Sequence, residues 1–175
     1  ALRRLWDDTL PPRAICVTFD DGYADNLDVA LPVLQRLEMS ATVFVATGPL
    51  DGGIMWNDRI LEAVCRCPVD TLDLRDFGLG IPALPALAER GRFAWNLIEQ
   101  IKFRPQPERE QVARELGARY APDLTSPMLT RAQLRQLHAA GIEIGGHTGN
   151  HPILANIDEA AAERAGPGAL AKEIA

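Results

Sequence analysis

The stretch Ala14-Ile15-Cys16-Val17-Thr18-Phe19-Asp20-Asp21-Gly22-Tyr23 decides the reading of the fold. Its first six residues are β-branched or apolar on both faces, the pattern of a strand buried inside an α/β layer. On that reading Cys16 packs as a small buried residue. The run stops at two adjacent carboxylates and a glycine, so Asp20 and Asp21 stand at the C-terminal end of the strand. Leu27, Leu31, Leu34 and Leu37 then recur at helical spacing, with Pro32 opening or kinking a helix. Residues 41–46 read as a second buried strand, ended by Thr47-Gly48-Pro49. Strand, helix and strand in that order predict a βαβ unit with a right-handed crossover.

Further along, the pattern predicts a helix over 56–66. A stretch rich in Pro, Gly and Asp follows over 67–85, and helices resume over 93–103 and 107–116. Pro107 suits a first helical turn. The whole of 66–128 reads as a helical insertion within one domain spanning 1–175. Thr130 is positioned to cap a helix that carries Leu134 and Leu137 and ends at Gly141. A short strand over 142–145 follows, and His147 comes directly after it. Beyond Pro152, Asn156 and Glu159 suggest a capping box for one more helix.

Length and composition bound the function. A chain of 175 residues suits one domain with a packed core. Its formal charge of -6 disfavours broad binding to nucleic acid or anionic membranes. Its apolar stretches are strand-sized, far short of a membrane span. The opening residues lack the apolar core of a signal peptide, which points to the cytoplasm, with the cell envelope as the alternative. Cys16, Cys65 and Cys67 are an odd number and suggest no disulfide framework; the last two read as helix-end residues.

Two motifs carry chemistry. Asp20-Asp21-Gly22 suits a plain turn, because Asp bonds its own backbone and Gly accepts positive φ. Adjacent carboxylates on a turning backbone also point in different directions, so one can hold a metal while the other takes a proton. The second motif is His147-Thr148-Gly149-Asn150-His151-Pro152. Histidines at i and i+4 could be surface or core residues, or could turn both rings toward one metal. One carboxylate and two imidazoles form a usual ligand set for a hydrolytic ion with an open position for water. Gly145-Gly146 lets the backbone come close to neighbouring strands or substrate. His138, near a helix C-terminus, reads as a partner of the helix dipole.

Taken together, Thr18-Phe19-Asp20-Asp21-Gly22-Tyr23 and His147-Thr148-Gly149-Asn150-His151-Pro152 resemble the polysaccharide deacetylase family, the carbohydrate esterases with a NodB-type homology domain. The segments 31–34, 41–46 and 137–146 look similar too. The resemblance implies a distorted (β/α) barrel, of which this chain is expected to hold the N-terminal portion. It implies Asp20 as general base, with Asp21, His147 and His151 binding zinc or another divalent ion. Thr148 would shape the turn or contact substrate, and Tyr23 is a further candidate for substrate contact. The implied reaction removes acetyl groups from N-acetylated sugar residues of a polysaccharide or oligosaccharide. Family members carry later motifs: an Arg-Pro pair, an Asp-Trp strand and a Leu-His segment that supplies the general acid. After His151 there is no Arg-Pro pair, no tryptophan and no histidine. That departure keeps a second expectation in play, a non-catalytic carbohydrate-binding or remnant domain that retains the metal site.

Overall fold

The computed structural model describes Arg4 and residues 6–152. The helix expected after Asn156 lies outside the described residues. By internal contacts the described chain forms two compact units. One comprises residues up to Asp51 together with Pro127–His151, and the other comprises Gly52–Ser126.

The first unit is built on three parallel strands in the order β1-β2-β3: β1 (Thr18–Phe19), β2 (Thr42–Val45) and β3 (Glu143–Gly146). Thr18 pairs with Thr42, and Thr42 with Glu143, so the three strands start level. On the central strand Val43 and Val45 are buried whereas Thr42 and Phe44 are only half-buried. One face of the sheet therefore carries the core. It packs with Leu34, Leu50, Leu129, Leu134, Leu137 and Ile142. The described residues form an α/β layer with an open parallel sheet, and no closed barrel is formed among them.

Two expectations for the first strand are corrected. Pairing covers only Thr18–Phe19 rather than the whole apolar run, and Cys16 is exposed instead of buried. Ile15 is exposed as well. The reason lies in the register. The partner strand begins at Thr42 opposite Thr18, and its amide still reaches the Val17 carbonyl (3.1 Å). Residues before Val17 therefore run past the start of β2, their neighbouring strand among the described residues.

The leucine-spaced segment folds as one π turn, Asn26–Ala30, leading into α1 (Leu31–Arg36). The Leu31 amide donates to the Asn26 carbonyl, five residues back. Pro32 explains the widened turn. Its ring has no N–H to donate and would crowd the carbonyl four residues earlier in a regular α-helix.

Helix α5 (Arg131–Ala139) shows why local signals held where they were complete. Thr130 accepts from the Gln133 amide while the Gln133 side chain accepts from the Thr130 amide, a reciprocal capping box. At its other end the Gly141 amide donates to the His138 carbonyl and the Ile142 amide to the Leu137 carbonyl. With Gly141 at φ +88°, this is the left-handed glycine stop of a Schellman motif. It delivers the chain straight into β3.

The second unit packs three helices: α2 (Trp56–Arg66), α3 (Arg90–Ile101) and α4 (Gln106–Tyr120). Pro107 lies in the first turn of α4, where its missing N–H costs nothing. The stretch between α2 and α3 is not helical overall. It forms an arch in which Thr71 bridges Ala83 and the Leu72 amide donates to the Pro82 carbonyl, burying Leu72 and Leu74. Arg109 is 1% exposed, with its guanidinium 4.6 Å over the Trp56 ring. Its Nη1 donates to the Lys102 carbonyl (3.3 Å), but Nε and Nη2 meet no partner. Burial pushes its pKa down.

Candidate metal centre

The first wall of the site is the turn after β1. The Gly22 amide donates back to the Asp20 carbonyl (2.9 Å), and Asp21 between them has φ +70°. Those two facts define a three-residue γ-turn of the rare positive-φ kind, a conformation Asp tolerates better than most residues. Tethers on both sides hold it. The Ala46 amide, just past β2, donates to the Asp21 carbonyl (3.1 Å), and the Leu129 amide to the Gly22 carbonyl (2.9 Å). Gly22 sits at φ +85°, where a Cβ would come within 3.0 Å of Val45 Cγ1. The turn is thus fixed by backbone bonds and by contact with the central strand.

The second wall continues β3. The His147 amide donates to the Val45 carbonyl (2.8 Å), the Thr47 amide to the Thr148 carbonyl (3.1 Å) and the Gly48 amide to the Gly149 carbonyl (2.7 Å). The β2–β3 ladder therefore runs on beyond both strand ends. Thr148 then reverses the chain at φ +66°, and its hydroxyl oxygen accepts the His151 amide (3.1 Å). His151 itself has φ +47°. Gly145 allows the approach that precedes this loop, since a Cβ there would lie 2.6 Å from the Phe44 ring.

These walls bring three side chains together. His147 Nε2 and His151 Nε2 are 3.1 Å apart, and each faces Asp21 Oδ1, at 3.5 and 3.3 Å. The two rings are tilted by 46° with centroids 4.9 Å apart. Asp21 Oδ1 is buried and has no hydrogen-bond partner. A buried carboxylate oxygen without a hydrogen bond is costly, and one cation shared with the two imidazole nitrogens could satisfy it. The dimensions fit one. Metal–ligand bonds of about 2.1 Å in a tetrahedron place neighbouring ligand atoms about 3.4 Å apart. The three observed edges bracket that value, and the donor set of two nitrogens and one oxygen suits a divalent ion. The side chains remain 22–35% exposed, which leaves the centre open to solvent on one side.

The other residues singled out from sequence fall around this triangle. Asp20 is exposed and stands outside the three-residue cluster. Tyr23 is half-buried and bridges Met128. Thr148 shapes the histidine turn through its hydroxyl. His138 is exposed in the last turn of α5, as its place before Gly141 suggested. Thr47 and Gly48 were read only as the end of a strand, yet their amides hold the histidine loop. A glycine directly after a buried strand was the one signal that could have marked them.

Comparisons with known proteins agree with the motif reading. Residues 7–72 match the family model described as "Polysaccharide deacetylase". The Bacillus subtilis (strain 168) protein "Putative polysaccharide deacetylase YxkH" is 48% identical over 33 residues, which is 19% of this chain and 12% of that protein. Among solved structures, the Streptococcus pyogenes deacetylase PplD in complex with acetate superimposes with a TM-score of 0.50 at 18% identity, covering 98% of this chain and 46% of that one. The deacetylase domain of BpsB from Bordetella bronchiseptica gives 0.39 at 21% identity, with 85% and 36% covered. The chain thus spans less than half the length of each of these proteins. The resemblance to polysaccharide deacetylases is borne out, and the likeness to PplD extends to the fold.

Proposed function

We propose that this chain carries the metal-binding part of a polysaccharide deacetylase of the NodB type. Its reaction hydrolyses the amide of N-acetylated sugar residues in a polysaccharide or oligosaccharide. The observation that carries the reading is the triangle of Asp21 Oδ1, His147 Nε2 and His151 Nε2, with an unpartnered carboxylate oxygen at one corner. On this reading Asp21, His147 and His151 hold a divalent ion, zinc by the fit of donors and edges. When bound, the ion would polarise the acetyl carbonyl and acidify water. The segment 66–128 is an insertion within the same domain.

The chain's own residues have separable tasks. Asp21 offers a negative oxygen, and the two imidazoles offer neutral nitrogens, so the ion stays electrophilic. Asp20 opens the γ-turn and stands exposed outside the three-residue cluster, the carboxylate placed to accept a proton from the attacking water. Water adds across the amide, releasing acetate and leaving a free amine on the sugar. Thr148 and Tyr23, on the two loops that carry the triad, are the candidates for contact with the sugar.

Calorimetry on chelator-stripped protein tests the metal assignment. One zinc per chain is expected to bind wild type, and none to bind Asp21→Ala, His147→Ala or His151→Ala. Asp20→Asn is expected to keep the zinc and lose acetate release from N-acetylglucosamine oligomers. Unchanged acetate release in that variant would remove Asp20 as the base. Zinc and oligosaccharide binding by wild type without acetate release would favour a non-catalytic carbohydrate-binding role.

A further inference from the structure

We infer that Gly48 is a positioning residue for the metal centre: its bare Cα is the seat on which the loop between the two histidines rests. The inference rests on the metal reading above and concerns a residue outside the three-residue cluster.

The geometry has three parts. First, Gly48 makes the last rung of the extended ladder, donating to the Gly149 carbonyl at 2.7 Å. That rung lies between His147 and His151 in sequence, so it fixes the loop midway between the two ligands. Second, no side chain fits there. A Cβ on Gly48 would lie 2.8 Å from the Gly149 carbonyl oxygen and would collide with Asn150 Oδ1. Third, Pro49 follows, and a residue before proline is driven toward extended backbone, which keeps Gly48 in line with the ladder.

The consequence follows from the reach of a single methyl group. An alanine at 48 must push the Gly149 carbonyl outward and turn the exposed Asn150 side chain aside, because Thr47 before it is buried and cannot yield. Moving Gly149 and Asn150 displaces the His151 amide from the Thr148 hydroxyl. The His151 ring then leaves its place beside Asp21 Oδ1. A change that touches no ligand would thereby spoil the triangle.

Two measurements on Gly48→Ala test this. In the metal-free protein, the nuclear Overhauser contact between the His147 and His151 rings should be present in wild type and lost in the variant, while the backbone signals of β2 persist. In cobalt-loaded protein, affinity should fall tenfold or more, in the range usual for outer residues that orient ligands (about 10–100-fold), with a changed d–d absorption envelope. Adding Asn150→Gly to Gly48→Ala removes one of the two obstructed groups and should restore part of the affinity and of the ring contact. An intact ring contact in Gly48→Ala, or cobalt affinity within twofold of wild type, would overturn the inference. If wild type bound no cobalt, the metal reading would fail on its own. The ring contact would still decide whether Gly48 positions the histidines.

Discussion

Gly22→Ala is the substitution whose cost can be worked most directly from the structure. Two separate penalties act at this position. The backbone holds φ +85°, where an L-residue costs about 1–2 kcal/mol. The added Cβ would also lie 3.0 Å from Val45 Cγ1 and 3.5 Å from Val45 Cβ and Cγ2. Val45 is fully buried in the central strand, so the contact is not relieved by swinging it aside. Overpacking of this kind costs about 1–3 kcal/mol. The lower entropy of the unfolded alanine chain returns about 0.5 kcal/mol. The net expected loss is about 1.5–4.5 kcal/mol.

Gly141 supplies the control. It has φ +88°, in the same unit, but a Cβ there would meet nothing within 4 Å. Gly141→Ala should therefore show the backbone penalty alone, about 1 kcal/mol after the same entropic correction. A double-mutant cycle isolates the contact: Val45→Ala should cost less in the Gly22→Ala background than in wild type, by about 1–3 kcal/mol. The assay is amide hydrogen exchange at Val43 and Val45, which reports the opening of the sheet-containing unit rather than of the helical one. The reasoning fails if Gly22→Ala costs no more than Gly141→Ala, or if the cycle proves additive.

Two further outcomes concern the helical unit. The Arg75 guanidinium bonds the Asp73 carboxylate (2.9 and 2.8 Å) and holds its pKa down at about 2. A depressed carboxylate favours folding above its unfolded pKa, and that contribution disappears as pH falls through the folded value. NMR titration should find Asp73 titrating at about 2 in wild type and higher, toward the ordinary carboxylate range, in Arg75→Ala, which keeps only the backbone amide bond to that carboxylate; an unmoved midpoint would refute the side-chain pairing. Arg109 is a buried cation with two unpartnered nitrogens and no ion pair among the described residues, set against one ring contact and one hydrogen bond. Burying an unpaired ion costs several kcal/mol, whereas the ring contact returns about 2 kcal/mol. Arg109→Met should therefore raise stability by about 1–2 kcal/mol in urea denaturation, and a loss of more than 1 kcal/mol would show the charge to be satisfied.

Much of the fold was legible where the deciding interactions are local. The Thr130–Gln133 box, the Gly141 stop, Pro107 at a first turn and the bounds of α2 all depend on residues within one or two turns of one another. Such signals survive in sequence because the atoms that satisfy them are covalent neighbours. Errors arose where a distant partner decided. Residues 14–16 carry a strand's composition but lie beyond the start of β2, so they join no strand among the described residues and leave Cys16 exposed. The π turn before Pro32 is an intermediate case, with its cause visible in the sequence and its widened form not.

The candidate site divides along the same line. The sequence by itself determined which side chains could ligate, and placed Asp21, His147 and His151 just past strand ends, where the backbone must turn. It could not determine that their ligand atoms stand within 3.5 Å of one another. Parallel pairing of β1, β2 and β3 made that decision, because level strands bring both following loops to the same edge of the sheet. The ladder's continuation through Thr47 and Gly48 then closed the distance. Ligand types are a property of residues, but a metal's bond lengths are a property of space. Only folding the chain back on itself turned separate motifs into one triangle of the right size.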